Sequence, residues 1–578
     1  MPAGAKHLMP VLRTELAMLN SRHEFGEKPS AWQVSTFEPI VWNVRNGVGS
    51  RRPVLDPQSG RRKIGRSSVV DATELTRQGK VIADFGSFTM SISPPRVRIA
   101  PSPTGEPHVG TAYIALFNYL FAKKNGGEFI LRIEDTDATR STREFEDKVL
   151  DALRWVGLEW SEGPDIGGPY GPYRQSDRRD MYHPHAQELV EKGHAFHCFC
   201  TPERLEQMRE AQRAARQPSK YDGLCLHLTT EEVAARLAAG EPSVIRMKIP
   251  AQGSCEFHDG VYGHVSIPWE SVDMQVLIKA DGMPTYHMAN VIDDHLMKIT
   301  HVARGEEWVS SVPKHILLYH YFGWQQPIFM HLSLMRNADK SKLSKRKNPT
   351  SISYYSALGY LPEALMNFLG LFFVQIGDGE ELLSMAELID KFEADNLSKA
   401  GAIFDIQKLD WLNGRWIREK LSPEEFVART LEWASDNARL TEGLKLSQSR
   451  ISKLGELPGL AGFLLSSDVG VTSALFADLK TAPAETLEII AAVQADLESM
   501  DVWNTESIEA ALRATSDRLG KKLRVVTPPL FVAISGSSRS LPLFESMALL
   551  GRAVVRQRLK VATGTVASMA TGGRQLSP

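Results

Sequence analysis

The chain has 578 residues, is 43% apolar and 24% charged, and carries a formal net charge of −2 at neutral pH. That length allows several domains of about 100–200 residues each, and the composition is that of a globular chain rather than a collagenous or low-complexity one. The near-zero net charge excludes a global basic field, so nucleic acid would have to be met by local patches, and four cysteines in so long a chain make no disulfide scaffold and fit a reducing cytoplasm.

Residues 1–94 show no helical or strand period. They carry Arg51-Arg52 and Arg61-Arg62-Lys63 among Gly, Ser and Pro, and Glu15, Glu24, Glu27 and Glu38 argue against a transit peptide. Trp32, Phe37, Trp42 and Phe85 would suit a small added domain, but such sparse apolar residues do not offset the ordering entropy. The segment is read as an extension, disordered or outside the core, with Met90 a natural start. Arg96 to Ala100 then alternates as a strand, and "PSPTGEPHVG" follows as a loop with two glycines. Ala112, Ala115, Leu116, Tyr119 and Leu120 fall on one helical face, which Asn125-Gly126-Gly127 stops before a second strand, Phe129 to Ile133. This βαβ order puts free N–H groups at a helix start, where phosphate binds well. The spacing Gly105 to Gly110-Thr111 lacks the lysine of a P-loop, and no G-x-G-x-x-G occurs.

Further on, Cys198-Phe199-Cys200 and Cys225-Leu226-His227 stand 24 residues apart. Three thiolates and an imidazole would make a closed, structural zinc site; three buried cysteines with a surface histidine is the other reading of the same residues. Cys255 reads as an ordinary small apolar residue. "KSKLSKRK", residues 340–347, is a basic loop. The longest apolar run, Ala364 to Gly377, contains Asn367 and Gln375; a membrane span takes about 20 residues, so the run reads as a buried helix. "SPEEFVARTLEWASD" has a Ser-Pro helix start with acids in its first turn. The closing "VATGTVASMATGGRQLSP" is small, polar and expected to be disordered.

Pro107-His108-Val109-Gly110 resembles the HIGH signature of class I aminoacyl-tRNA synthetases, and Lys342-Leu343-Ser344-Lys345-Arg346 resembles their KMSKS loop, in the family's order. With "RIAPSPTG", "FILRIEDTD", "GPYRQS", "PTYHMANVIDDHLM" and "RGEEW", the chain from about Arg96 to about Leu559 looks like the bacterial glutamyl-tRNA synthetases. The resemblance implies a Rossmann-like catalytic domain in two halves, residues 95–174 and 284–345. Between them it implies a connective insertion, 175–283, that carries zinc and touches the tRNA acceptor end. A stem-contact region, 346–420, an all-helical anticodon-binding domain, 421–560, and a tail, 561–578, would follow.

The resemblance also implies the chemistry. ATP, with Mg2+, would be met by His108, Gly110, Glu307, Trp308, Met335, Lys342 and Lys345. Those lysines would act on the phosphates as point charges. L-glutamate, with two carboxylates and one ammonium, would be held by Arg98, Arg304 and Glu134, assisted by Ala100, Ser102, Tyr286 and Asn290. One structural zinc would be held by Cys198, Cys200, Cys225 and His227. Arg450 aligns loosely with an anticodon-reading arginine of some relatives, and a plain surface arginine is the other reading. The expected partners are tRNA(Glu), glutamate and ATP, with no membrane, in a cytoplasmic monomer. The alternatives are a glutaminyl-tRNA synthetase or an inactive RNA-binding paralogue. Arg304 speaks for an acidic ligand, and intact His108, Gly110, Lys342 and Lys345 speak against decay. A protein begun at Met90 is expected to keep full charging activity and nearly the same melting temperature. A tRNA charging assay and a thermal melt check this, and failure to fold or lost tRNA affinity would make the extension a working part.

Overall fold

The computed structural model describes Val81, Ile82 and residues 94–570, except 138, 338, 342, 344–349, 377, 378, 395, 396, 398 and 400. All lie in one compact unit, Val70–Pro578. The strands are β1 (Val81–Ile82), β2 (Arg96–Ile99), β3 (Glu128–Leu131), β4 (Ala195–Cys198), β5 (Val244–Met247), β6 (Ser254–Asp259), β7 (Gly263–Pro268), β8 (Val276–Ile278), β9 (His301–Gly305) and β10 (Ile328–Leu332). Apart from β1 and Pro94, the segment read as an extension lies outside the described residues. β1 pairs in parallel with Cys255 and Glu256 of β6.

β2 and β3 run parallel, with Arg96 opposite Glu128, and β9 and β10 run parallel, with His301 opposite Ile328. The two pairs meet where Thr300 N donates to the Arg96 carbonyl at 2.9 Å and Arg96 N donates to Thr300 Oγ1 at 2.8 Å. β6 continues the parallel order beside β10 and turns back through the hairpin to β7. The carboxyl ends of β2, β3, β9 and β10 therefore open toward one side, where ligands bind in such sheets. β4, β5 and β8 form a separate antiparallel sheet.

The expected βαβ unit is present, with helix Val109–Lys124 between β2 and β3. His108 caps it, its Nδ1 accepting from Gly110 N at 2.9 Å. Gly126 turns the chain with φ +62, and a Cβ on Gly127 would stand 2.1 Å from the Pro95 carbonyl oxygen, so only glycine fits there. The helix was expected to bury one face. It buries Val109, Tyr113, Phe117 and Asn118 as well, because the sheet covers one side and helices Pro362–Gly370 and Met385–Lys391 cover another.

Two expectations are corrected. The apolar run from Ala364 is helical only within Pro362–Gly370. There Gly370 lies against Leu388, and Phe373 leaves the helix to stack on Tyr113 at 4.7 Å between ring centres. The tail begins as helix: Arg552–Ala570 is continuous, buries Ala562 and Val566, one turn apart, and packs on helices Pro483–Glu498 and Leu523–Ser535. Residues 571–578 lie outside the described residues. From Ile406 onward the described elements are all helical, and Pro423–Asp436 opens with the expected Ser422 cap, closed into a capping box by Glu425. No described helix is long and apolar enough to cross a membrane.

Asn367, fully buried, ties helix Pro362–Gly370 to helix Ile406–Glu419 and to the segment leading into helix Met385–Lys391. Its Oδ1 accepts from Trp416 Nε1 at 2.8 Å and from Leu383 N at 3.2 Å. Asn367→Ala strands both donors, at about 1–3 kcal/mol each. The expected result is a fall of several degrees in thermal unfolding midpoint, read by differential scanning calorimetry.

Candidate active site

A cavity of about 430 Å3 lies at the carboxyl ends of β2, β3 and β9. It brings together Arg98, Ala100, Ser102, His108, Gly110, Glu134, Tyr286, Asn290, Arg304, Glu307, Trp308 and Met335, residues spread over more than 230 positions of sequence. Arg98 comes from β2, Ala100 and Ser102 from the loop after it, and Glu134 from just beyond β3. Tyr286 and Asn290 share a face of helix Tyr286–Leu296. Arg304 is the penultimate residue of β9, and Glu307 and Trp308 follow in a 3-10 turn. Lys342 and Lys345 lie outside the described residues. Leu343 between them is buried, lines the cavity, and donates its N–H to the Met335 carbonyl at 3.1 Å. A larger groove, about 1330 Å3, runs past Tyr354, Trp433 and Arg439 and contains none of the predicted site residues.

The floor of the cavity is a buried charge network. Asp294 clamps Arg98 with both oxygens, at 3.0 and 3.1 Å, and takes Arg132 at 2.7 Å. Burial alone would raise the Asp294 carboxyl, but Arg98 and Arg132 hold it below the usual range. Arg132 also reaches Glu134 at 3.1 Å, and there burial prevails and raises the Glu134 carboxyl. Beneath them Asp293 takes Arg178 at 2.6 Å, Gln175 at 2.9 Å and Tyr182 at 2.9 Å.

Arg304 is different. Only 6% exposed, it donates to His331 Nε2 at 3.1 Å, to Tyr286 Oη at 3.1 Å and to His315 Nδ1 at 3.3 Å. Each partner accepts from the donor-only guanidinium and so presents a lone pair, as a neutral ring or hydroxyl does, and burial chiefly lowers both imidazoles from the usual histidine range. Arg304 Nη2 is buried without a hydrogen-bond partner, and the residue lines the cavity. A buried cation so placed calls for an anion from outside the chain. At the other end, the cap bond to Gly110 N uses His108 Nδ1 as acceptor, which puts the ring proton on Nε2, where it can donate to an anion.

Arg132, Asp294 and His331 escaped the sequence reading. Asp294 carried a readable signal, for Tyr286, Asn290 and Asp294 recur every four residues on one helix. Arg132 and His331 had none beyond lying in β-rich stretches.

In the stretch between the two halves, the sulfurs of Cys198, Cys200 and Cys225 lie within 4.8 Å of one another. The fourth expected ligand, His227, is exposed and stands outside that group. Cys225 and His227 are two residues apart in the 3-10 turn Leu224–His227, and at three residues per turn they cannot share a face. Tyr221 is there instead. Its hydroxyl lies 3.4 Å from Cys198 Sγ and 3.5 Å from Cys200 Sγ, and accepts from Cys225 N at 2.9 Å. Cys255 is fully buried in β6, and burial pushes its thiol up to about 12. Arg450 is exposed, its Nη1 donating to the Ser540 carbonyl at 3.2 Å.

A parallel sheet with cations at its carboxyl ends, followed by a helical region, matches two known domains. Residues 95–411 match the family described as tRNA synthetases class I (E and Q), catalytic domain, and residues 425–563 match the family described as anticodon binding domain. The architecture is therefore that of a class I tRNA synthetase with a helical anticodon-binding domain. A glutamate–tRNA ligase of Agrobacterium fabrum is 80% identical over 484 residues, which are 84% of this chain and all of that protein. One of Rhizobium johnstonii is 79% identical over 474 residues, 82% of this chain and 97% of that one. The crystal structure of a glutamate tRNA ligase from Elizabethkingia meningosepticum, in complex with its amino acid, is 33% identical with a TM-score of 0.56, covering 82% of this chain and 100% of that chain. The chain belongs to the bacterial glutamate–tRNA ligase family.

Proposed function

We propose that the cavity activates L-glutamate with ATP and passes it to tRNA(Glu). An oxygen of the α-carboxylate attacks the α-phosphorus, the bond to diphosphate breaks, and glutamyl-adenylate forms. A terminal ribose hydroxyl of tRNA then displaces AMP. The observation that carries this reading is Arg304, a buried guanidinium with only neutral partners and an unpartnered nitrogen in the cavity. Arg98 is already shared with Asp294, so Arg304 supplies the unneutralised charge for a substrate carboxylate. The amide of glutamine would give it a weaker, uncharged acceptor or a clashing donor, which favours an acid over its amide. Glu134 takes the ammonium, with Tyr286 and Asn290 beside it. Ala100 and Ser102 line the same wall.

For the nucleotide, His108 and the open backbone at Gly110 meet phosphate at the helix start. Glu307, Trp308 and Met335 take the base and ribose end. Lys342 and Lys345 bring charge to the departing diphosphate, and Mg2+ enters with ATP. No covalent nucleophile is needed; the chain's work is alignment and charge. The anticodon-binding domain reads tRNA, with Arg450 a contact on its surface. His108→Ala and Lys345→Ala are each expected to slow pyrophosphate exchange about 10²–10³-fold. The assay is run with glutamate and tRNA present, and near wild-type rates in both variants would overturn the assignment.

We further propose that Cys198, Cys200 and Cys225 hold one structural Zn2+. Zn–S bonds of about 2.3 Å set tetrahedral sulfur edges near 3.8 Å, and Cys200 and Cys225 stand 3.6 Å apart. The nearest fourth donor is the Tyr221 oxygen, and the turn that carries His227 favours it over that residue. Metal analysis of purified protein is expected to give about one zinc per chain, kept in His227→Ala and lost in Cys225→Ser and Tyr221→Phe. Full zinc in Cys225→Ser would rule the site out, and loss in His227→Ala alone would restore histidine as the ligand.

A further inference from the structure

Arg304 is aimed by a chain of two residues that starts outside the catalytic strands. His331, fully buried on β10, accepts from Arg304 Nε through Nε2. Its Nδ1 meets Asp259 Oδ2 at 2.5 Å. Asp259 closes β6, at 1% exposure, in the stretch between the two catalytic halves. Its other oxygen, Oδ1, accepts from three backbone N–H groups: Val261 at 2.9 Å, Tyr262 at 3.0 Å and His331 itself at 3.3 Å. An oxygen so occupied cannot turn away, so Oδ2 is committed to the imidazole.

We infer that Asp259 and His331 are positioning residues that fix Arg304 for the substrate carboxylate, and so set discrimination between glutamate and its amide. This rests on the reading of Arg304 above. The logic is one of donors and acceptors. A carboxylate at Nδ1 keeps the proton there and leaves Nε2 a bare acceptor, as Arg304 Nε requires. A carboxylate in direct contact would quench the guanidinium, as Asp294 does for Arg98. A neutral ring orients it and leaves its charge for the ligand. His315 is a second neutral ring on the same guanidinium: its Nδ1 accepts from Arg304, which leaves its own proton on Nε2, facing His287 Nδ1 at 3.0 Å.

Asp259→Asn tests this with almost no change of shape. The amide oxygen must stay with the three backbone donors, so its NH2 faces His331 Nδ1. The imidazole proton then moves to Nε2, and donor opposes donor at Arg304. Loss of a hydrogen bond to a charged group corresponds to about tenfold to a hundredfold. KM for glutamate is expected to rise by that factor, KM for ATP to stay within about twofold, and selectivity for glutamate over glutamine to fall. Adding His331→Gln to that variant restores an acceptor oxygen near the Nε2 position and is expected to recover most of the loss. If Asp259→Asn does not fold, His331→Gln and His331→Leu replace it, with glutamate KM near wild type in the first and raised in the second. A glutamate KM unchanged in Asp259→Asn, or equal in His331→Gln and His331→Leu, would overturn the relay. Arg304→Lys separates the two readings: normal glutamate KM there removes Arg304 from the site, whereas a raised KM there beside a normal one in Asp259→Asn removes the relay alone.

Discussion

One buried carboxylate holds the active end of this molecule together. Asp294 takes two oxygens' worth of Arg98 and a third bond from Arg132, all out of water. Charges buried this deeply stay charged only when paired, and removing one partner of such a pair costs about 3–5 kcal/mol. The three groups come from helix Tyr286–Leu296, from β2 and from just past β3. Their pairing therefore fixes how the two catalytic halves sit on each other. It also sorts the arginines: one, Arg98, whose charge is shared with a carboxylate inside the protein, and one, Arg304, whose bonds go to His331, Tyr286 and His315.

The sequence made the frame readable because local rules and tertiary demands agree there. A strand, a loop, a histidine cap and a glycine stop are each decided within a few residues, and the structure keeps β2, helix Val109–Lys124 and β3 in those places. The cavity residues were readable for another reason, since the motifs that carry them resemble those of a known family. What remained hidden was decided at a distance. Arg132, Asp259 and His331 have roles set by partners across the sheet. Apolar content continues past Gly370, but the packing of Leu388 and Tyr113 ends the helix there. The tail looked too polar to fold, yet a helix needs only a narrow stripe when its neighbour can approach closely.

The cysteine cluster shows the same division. Type and approximate spacing pointed to four ligands, and three of them do converge. The fourth, His227, lies outside that group, because a spacing of two is met differently by a strand and by a 3-10 turn. Tyr221, four residues before Cys225, had no motif to announce it, and its place follows only from the fold of the loop.

The cap at His108 separates two duties within a single ring. Nδ1 holds the first turn of the helix, and Nε2 is the nitrogen proposed above to donate to a ligand. Removal of the whole side chain therefore mixes the cost of a lost cap, about 1 kcal/mol, with any loss in chemistry. Asparagine can still accept at the cap but cannot reach as far into the cavity. In the vocabulary of protein engineering it is a separation-of-function allele, one that keeps the cap while withdrawing the ring from the cavity.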